Sequence, residues 1–183
     1  MVHFNTPMSV NHPTGFPDDL QNAMTLTGCP ISFSTIQVKD RGPWQGGHPA
    51  DANAGGSVGV VVDIKDVGSV NTVDPNDSGS SAHGGSGGHS PDCQACNESI
   101  SKRKTANEWW VQDYIPLGVF VFLPARVFVK TPTCQGERDA GLSEILAAFP
   151  NDRIYSVLNG SFVEYDRQAA QWNSIGYADI VPA

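Results

Sequence analysis

Between Val119 and Phe122, and again between Val127 and Val129, the chain is continuously apolar, with β-branched and aromatic side chains. Such runs mark strands covered on both faces. Leu123, Pro124 and Ala125 read as a short connection between them, because Pro124 has no N–H to give to a ladder. Upstream, Val58, Val60, Val62 and Ile64 alternate with Gly59, Val61, Asp63 and Lys65, which predicts a half-buried strand. Ile31 to Lys39 predicts another, whose apolar phase switches from Ile31/Phe33 to Ile36/Val38, so a bulge is expected near Ser34-Thr35. Val2 to Thr6 is a candidate short strand. Leu20, Ala23 and Met24 share one face of a short helix, with Asp18 and Asp19 as caps and Gly28 as its stop. Leu142, Ile145, Leu146 and Phe149 follow the helical period, and Pro150 ends it. Asn159-Gly160 predicts a two-residue hairpin over 153–166, with Val157 facing Phe162 and Arg153 facing Asp166.

Composition narrows the class. A chain of 183 residues fits one domain, or a core with a small extension. With 19 Gly, 13 Pro and only 16% charged residues, it favours a turn-rich, mainly β fold over a helical bundle. The net charge of −8 makes nucleic acid the less favoured partner, since phosphate binding needs clustered Lys and Arg. There is no apolar run of membrane-spanning length, so no membrane partner is expected. The first thirty residues carry no basic-then-apolar signal pattern. That predicts a cytoplasmic protein or one delivered by a dedicated secretion route. The four cysteines allow three pairings, and Asn76, Asn97 and Asn159 each open an N-x-S sequon.

Candidate chemistry clusters in a few places. Glu108 precedes Trp109 and Trp110 at the entry to the apolar centre, where a carboxylate could hold one charged group beside a bound ring. Thr105 and Glu108 also match a capping box, in which Glu108 would merely satisfy a helix end. Trp44, in the Gly/Pro-rich stretch 41–56 with His48 and Asp51, is a candidate lid over a ligand. His83, His89, Cys93 and Cys96 form an H-x5-H-x3-C-x2-C set, four zinc-type ligands in a Gly/Ser-rich insertion at about 74–97. Asp74, Asn76, Ser78 and Gly79 imitate the start of a calcium loop, but its twelfth position is Gly85 rather than Glu. Cys29 and His48 lack a nucleophile turn. A non-enzymatic alternative is a β-rich glycan-binding module, with Trp44, Trp109, Trp110 and Trp172 as platforms and a structural zinc loop.

Three short motifs, in order, resemble the ADP-ribosyltransferase superfamily of poly-ADP-ribose polymerases and bacterial toxins. V-H-F-N-T (2–6) looks like the strand that grips NAD, I-S-F-S-T (31–35) like the strand at the nicotinamide, and N-E-W-W-V-Q-D-Y-I-P-L-G-V-F-V-F (107–122) like the closing motif. The resemblance spans about residues 2–130. It implies an α+β, mainly β fold of two small antiparallel sheets enclosing a cleft, with short helices. The core would be 1–130, and 131–183 a C-terminal helix and β-hairpin extension packed on it. Glu108 would be catalytic, with His3, Thr6, Phe33, Ser34, Thr35 and Trp44 binding NAD. His3 would hold a ribose hydroxyl, Phe33 would stack on nicotinamide, and Ser34 or Thr35 would brace the site. Phe33 or Ser34 stands where His-Tyr-Glu members carry tyrosine, and His3 stands where Arg-Ser-Glu members carry arginine. The implied activity is mono-ADP-ribosyl transfer from NAD to a protein or other macromolecular acceptor. In a toxin or effector, an inhibitory immunity partner would accompany it.

Overall fold

The computed structural model describes residues 2–4, 14–25, 31–33, 57–74, 108–123, 125–131, 133 and 135–176, with backbone alone at 2–4, 64–67, 72–74 and 108. The expected mainly β, α+β fold with two sheets is present. Its centre is β4 (Glu108–Val121), which pairs antiparallel with β3 (Val58–Asp74) along nearly its whole length. The opposite flank of β4 is shared. β2 (Ile31–Phe33) lies antiparallel against Trp109–Val111, and β7 (Ile154–Leu158) lies parallel against Val119 and Phe120. β1 (Val2–Phe4) extends the sheet beyond β3, while β8 (Ser161–Asp166) and β9 (Gln171–Ser174) extend it beyond β7. Among the described residues the main sheet thus has seven strands, and the predicted C-terminal hairpin is continuous with it. β5 (Ala125–Lys130) and β6 (Gln135–Ala140) form a second, two-stranded sheet. Two helices stand among the described residues, α1 (Asp18–Ala23) and α2 (Leu142–Ala148).

The long β3–β4 ladder does not run straight. Between Val62 and Val67 the β3 strand spends five steps where β4, from Pro116 to Tyr114, spends two. Pro116 has no N–H to give to a ladder, and Asp113 adopts a left-handed φ of 55°. Surplus residues on one strand bend and twist a ladder, and bends of this kind let one sheet turn a corner. The effect is visible at the flanks. β1 and β2 lie on opposite sides of the β3–β4 pair, yet their Cα atoms come within 8 Å.

Burial follows from this shape. Val58, Val60, Val62, Val119 and Val121 face one core with Phe16, Leu20, Trp109, Ile145 and Phe149. Phe120 of β4 and Phe122 just beyond its end project from the other face into a second cluster with Tyr155 and Val157. The run Val119–Phe122 is therefore covered on both sides, as its pattern implies, whereas in the second run Val127 is buried and Phe128 and Val129 are only half-buried.

Local expectations fare unevenly. α2 buries Ile145, and Phe149 is buried at its C-cap, as the period predicts, with Leu142 and Leu146 half-buried. In α1, however, Pro17 occupies the N-cap without a side-chain hydrogen bond. Asp18 and Asp19 lie in the first turn instead, where acidic groups favour the helix dipole. The hairpin turns at Asn159 and Gly160, both with positive φ, and Val157 faces Phe162. Arg153 departs from its expected partner. It precedes β7 and reaches Glu164 through two bonds, Nε–Oε1 at 2.8 Å and Nη2–Oε2 at 2.6 Å. Asp166 instead accepts the backbone N–H groups of Gln168 and Ala169 and so closes the next turn. Burial pushes the Tyr155 phenol up to about 12, with the nearby Arg153 charge opposing the shift.

Two side chains tie the C-terminal part together. The Arg167 guanidinium donates to the carbonyls of Leu146, Phe149 and Asp152, satisfying acceptors at and beyond the end of α2. Arg138 on β6 grips Glu144 in the first turn of α2. That hydrogen-bonded pairing holds the Glu144 carboxyl below its ordinary range.

Two outcomes are expected. A Cβ on Gly118, which has φ +152°, would lie 2.5 Å from the Arg153 carbonyl oxygen and 2.8 Å from the Tyr155 ring. Gly118→Ala should therefore destabilise by about 1–3 kcal/mol in denaturant titration, because backbone at the β4–β7 joint must move. The lowered pKa of Glu144 gives stability that is present above the unfolded carboxylate range and lost as pH falls through the folded value. The pair is 44% and 39% exposed, so solvent screens it. Glu144→Gln should cost less than about 1 kcal/mol near neutrality, with a melting-temperature difference that closes as pH falls below the carboxylate range.

Candidate functional site

The candidate site centres on the first residue of β4. Glu108 opens that strand with its backbone opposite Asp74 of β3. It is not the third residue of a helix, so the capping-box alternative is replaced by a strand start. The reason is tertiary: Trp109, Trp110 and Val111 are strand formers, and β2 and β3 give their backbone partners on both flanks.

β2 brings the second motif to the same place. Phe33 lies opposite Trp109, immediately beside Glu108, while Ser32 lies opposite Trp110. Strand alternation then divides the side chains. Ile31 and Phe33 join Trp109 and Val111 in the core, and Ser32 and Trp110 are half-buried. The Phe33 ring is 1% exposed and meets Tyr114 edge-on, with centroids 5.0 Å apart. A ring so enclosed offers no face to nicotinamide, and the expected stacking role gives way to packing.

His3 comes from the other end of the ladder. Its backbone lies opposite Val60, which in turn lies opposite Val119. In a flat sheet the distance along β4 from Val119 back to Glu108 would be roughly 36 Å, at about 3.3 Å per residue. The bend in β3–β4 supplies the remedy, because it carries β1 to within 8 Å of β2. The backbone therefore brings together the three segments that bear the motifs. Thr6, Ser34, Thr35 and Trp44 lie outside the described residues. So do the zinc candidates His83, His89, Cys93 and Cys96, together with Cys29, Cys134 and His48. Among the described residues no group of three or more His, Cys, Asp or Glu is arranged to hold a metal ion.

Among the described residues, Trp109, Trp110 and Trp172 do not form one platform. Trp109 is core at 1% exposure, and Trp172 is half-buried and edge-on to Tyr165 at 5.2 Å. Trp110 alone of the β4 pair reaches the half-buried face.

One residue passed over by the sequence reading matters here. Tyr114 is buried, and its hydroxyl donates to the Ala23 carbonyl at the end of α1, 2.6 Å away. Burial lifts its phenol well above the ordinary range, so it stays a protonated donor. Its signal is a phase break. Trp109 and Val111 face the core from odd positions, and the turn of the backbone at Asp113 hands the next core position to an even one.

Comparison with family models, with curated proteins and with solved structures finds no match.

The different environments of the paired tryptophans have a measurable consequence. Trp109→Ala should cost about 3–5 kcal/mol in denaturant titration, the usual range for emptying a large core site. Trp110→Ala should cost less than half as much.

Proposed function

We propose that the chain is an NAD-dependent mono-ADP-ribosyltransferase acting on a protein or other macromolecular acceptor, as a toxin or effector would. One observation carries the reading. β1, β2 and the first residue of β4, which hold the three motifs in chain order, converge through the bend in the long ladder.

In this reading the bond between the nicotinamide nitrogen and the ribose C1′ breaks, and its electron pair neutralises the pyridinium. Positive charge builds on the ribose, as in glycoside hydrolysis. The Glu108 carboxylate stabilises that cation and orients the incoming nucleophile. The acceptor's lone pair closes on C1′ and its proton leaves to the carboxylate or to water. His3 holds a ribose hydroxyl as a neutral imidazole. Ser34 and Thr35 brace the bound dinucleotide, and Thr6 and Trp44 complete its cradle. Phe33 acts from behind, as the buried anchor of the wall. The resemblance motivates NAD as co-substrate, and no zinc enters the chemistry.

Incubating the protein with NAD and following free nicotinamide by mass spectrometry tests the reading. Wild type should release nicotinamide, and Glu108→Gln should slow release by about 10²–10³-fold with an unchanged melting temperature. NAD left intact by folded wild-type protein, across a panel of candidate acceptors, overturns it.

A further inference from the structure

Tyr114 makes two contacts that bracket one segment. Its hydroxyl donates to the carbonyl of Ala23, the last residue of α1, at 2.6 Å. Its ring meets the Phe33 ring edge-on, with centroids 5.0 Å apart and planes at 74°. A single side chain of β4 thus touches the last residue of α1 and the last residue of β2. Phe33 in turn lies opposite Trp109, the residue after Glu108.

The hydroxyl is not needed to fill space. A phenylalanine would occupy nearly the same volume without the cost of taking a hydroxyl out of water. What the hydroxyl adds is location. α1 has six residues, too few to be stable alone, so its place depends on what ties it down. Gln21 ties its exposed side to the Ala148 carbonyl at 3.0 Å, and Tyr114 ties its buried end to the central strand. The end carbonyls of so short a helix lack helical partners, and the phenol satisfies one of them.

We propose that Tyr114 is a positioning residue for the dinucleotide site, setting where β2 meets the start of β4. The proposal rests on the transferase reading. It assigns Tyr114 no contact with substrate, and its influence passes through Ala23 and Phe33.

The test is the dependence of nicotinamide release on NAD concentration for four proteins. Tyr114→Phe removes the hydroxyl bond and keeps the ring. Phe33→Leu removes the ring contact and keeps the hydroxyl bond. Ser156→Ala is the control, because it deletes another buried hydroxyl-to-carbonyl bond, from Ser156 to Val121 at 2.6 Å, on β7. Tyr114→Phe should raise KM for NAD about 2- to 10-fold, the worth of one buried hydrogen bond, with kcat nearly unchanged. Phe33→Leu should move KM the same way. Ser156→Ala should lower the melting temperature comparably and leave KM at the wild-type value. A wild-type KM in Tyr114→Phe overturns the proposal and leaves the transferase reading standing. An equal KM rise in Ser156→Ala also overturns it, because general loosening would then suffice. If wild type releases no nicotinamide, the transferase reading fails and the positioning role falls with it.

Discussion

The bend in the β3–β4 ladder is the constraint on which the rest depends. Two strands joined by backbone hydrogen bonds usually twist together, and surplus residues on one of them let the pair turn a corner. Here the surplus lies between Val62 and Val67, opposite Pro116 and Tyr114. Without it, β1 and β2 would stay on opposite flanks of the pair. With it they approach within 8 Å, and the core closes around Val60, Val119, Trp109 and Phe33.

That shape was only partly legible in the sequence. Val58 to Val62 carries its own alternation, Val119 to Phe122 its two-faced run, and Asn159-Gly160 its turn, because each signal is local. β3 continues to Asp74, beyond the alternation that ends at Lys65, since the ladder to β4 imposes the strand where the period-two pattern has stopped. β6, Gln135 to Ala140, has no apolar period and owes its form to β5, across which Arg126 approaches Glu137 at 3.6 Å. Arg153 missed its predicted partner because a long side chain outside the strand reaches diagonally.

The candidate site shows the same division. The position of Glu108 ahead of an apolar strand could be read directly, whereas its neighbourhood depends on pairings between distant segments. Period-two alternation, applied to β2, would have assigned Phe33 to the core with Ile31. The family resemblance pulled it toward the ligand instead. Tyr114 shows the converse. The phase break at Asp113 moves the tyrosine to a core position, but its contacts with Ala23 and Phe33 arise only after α1 and β2 have docked on β4.

The arrangement of partners around β4 also bears on how the chain reaches this state. β3 joins β4 across more than thirty intervening residues, and β7 meets β4 side by side in the same direction, which no tight turn achieves. Loops of that size must close before any hydrogen bond rewards them, which places such topologies among slow-maturing chains. The β5–β6 and β7–β8 pairs join near neighbours, so they are the natural first islands of order, with the central seam zipping late. A nascent polypeptide of this kind spends its early life with its most apolar strand exposed to other molecules.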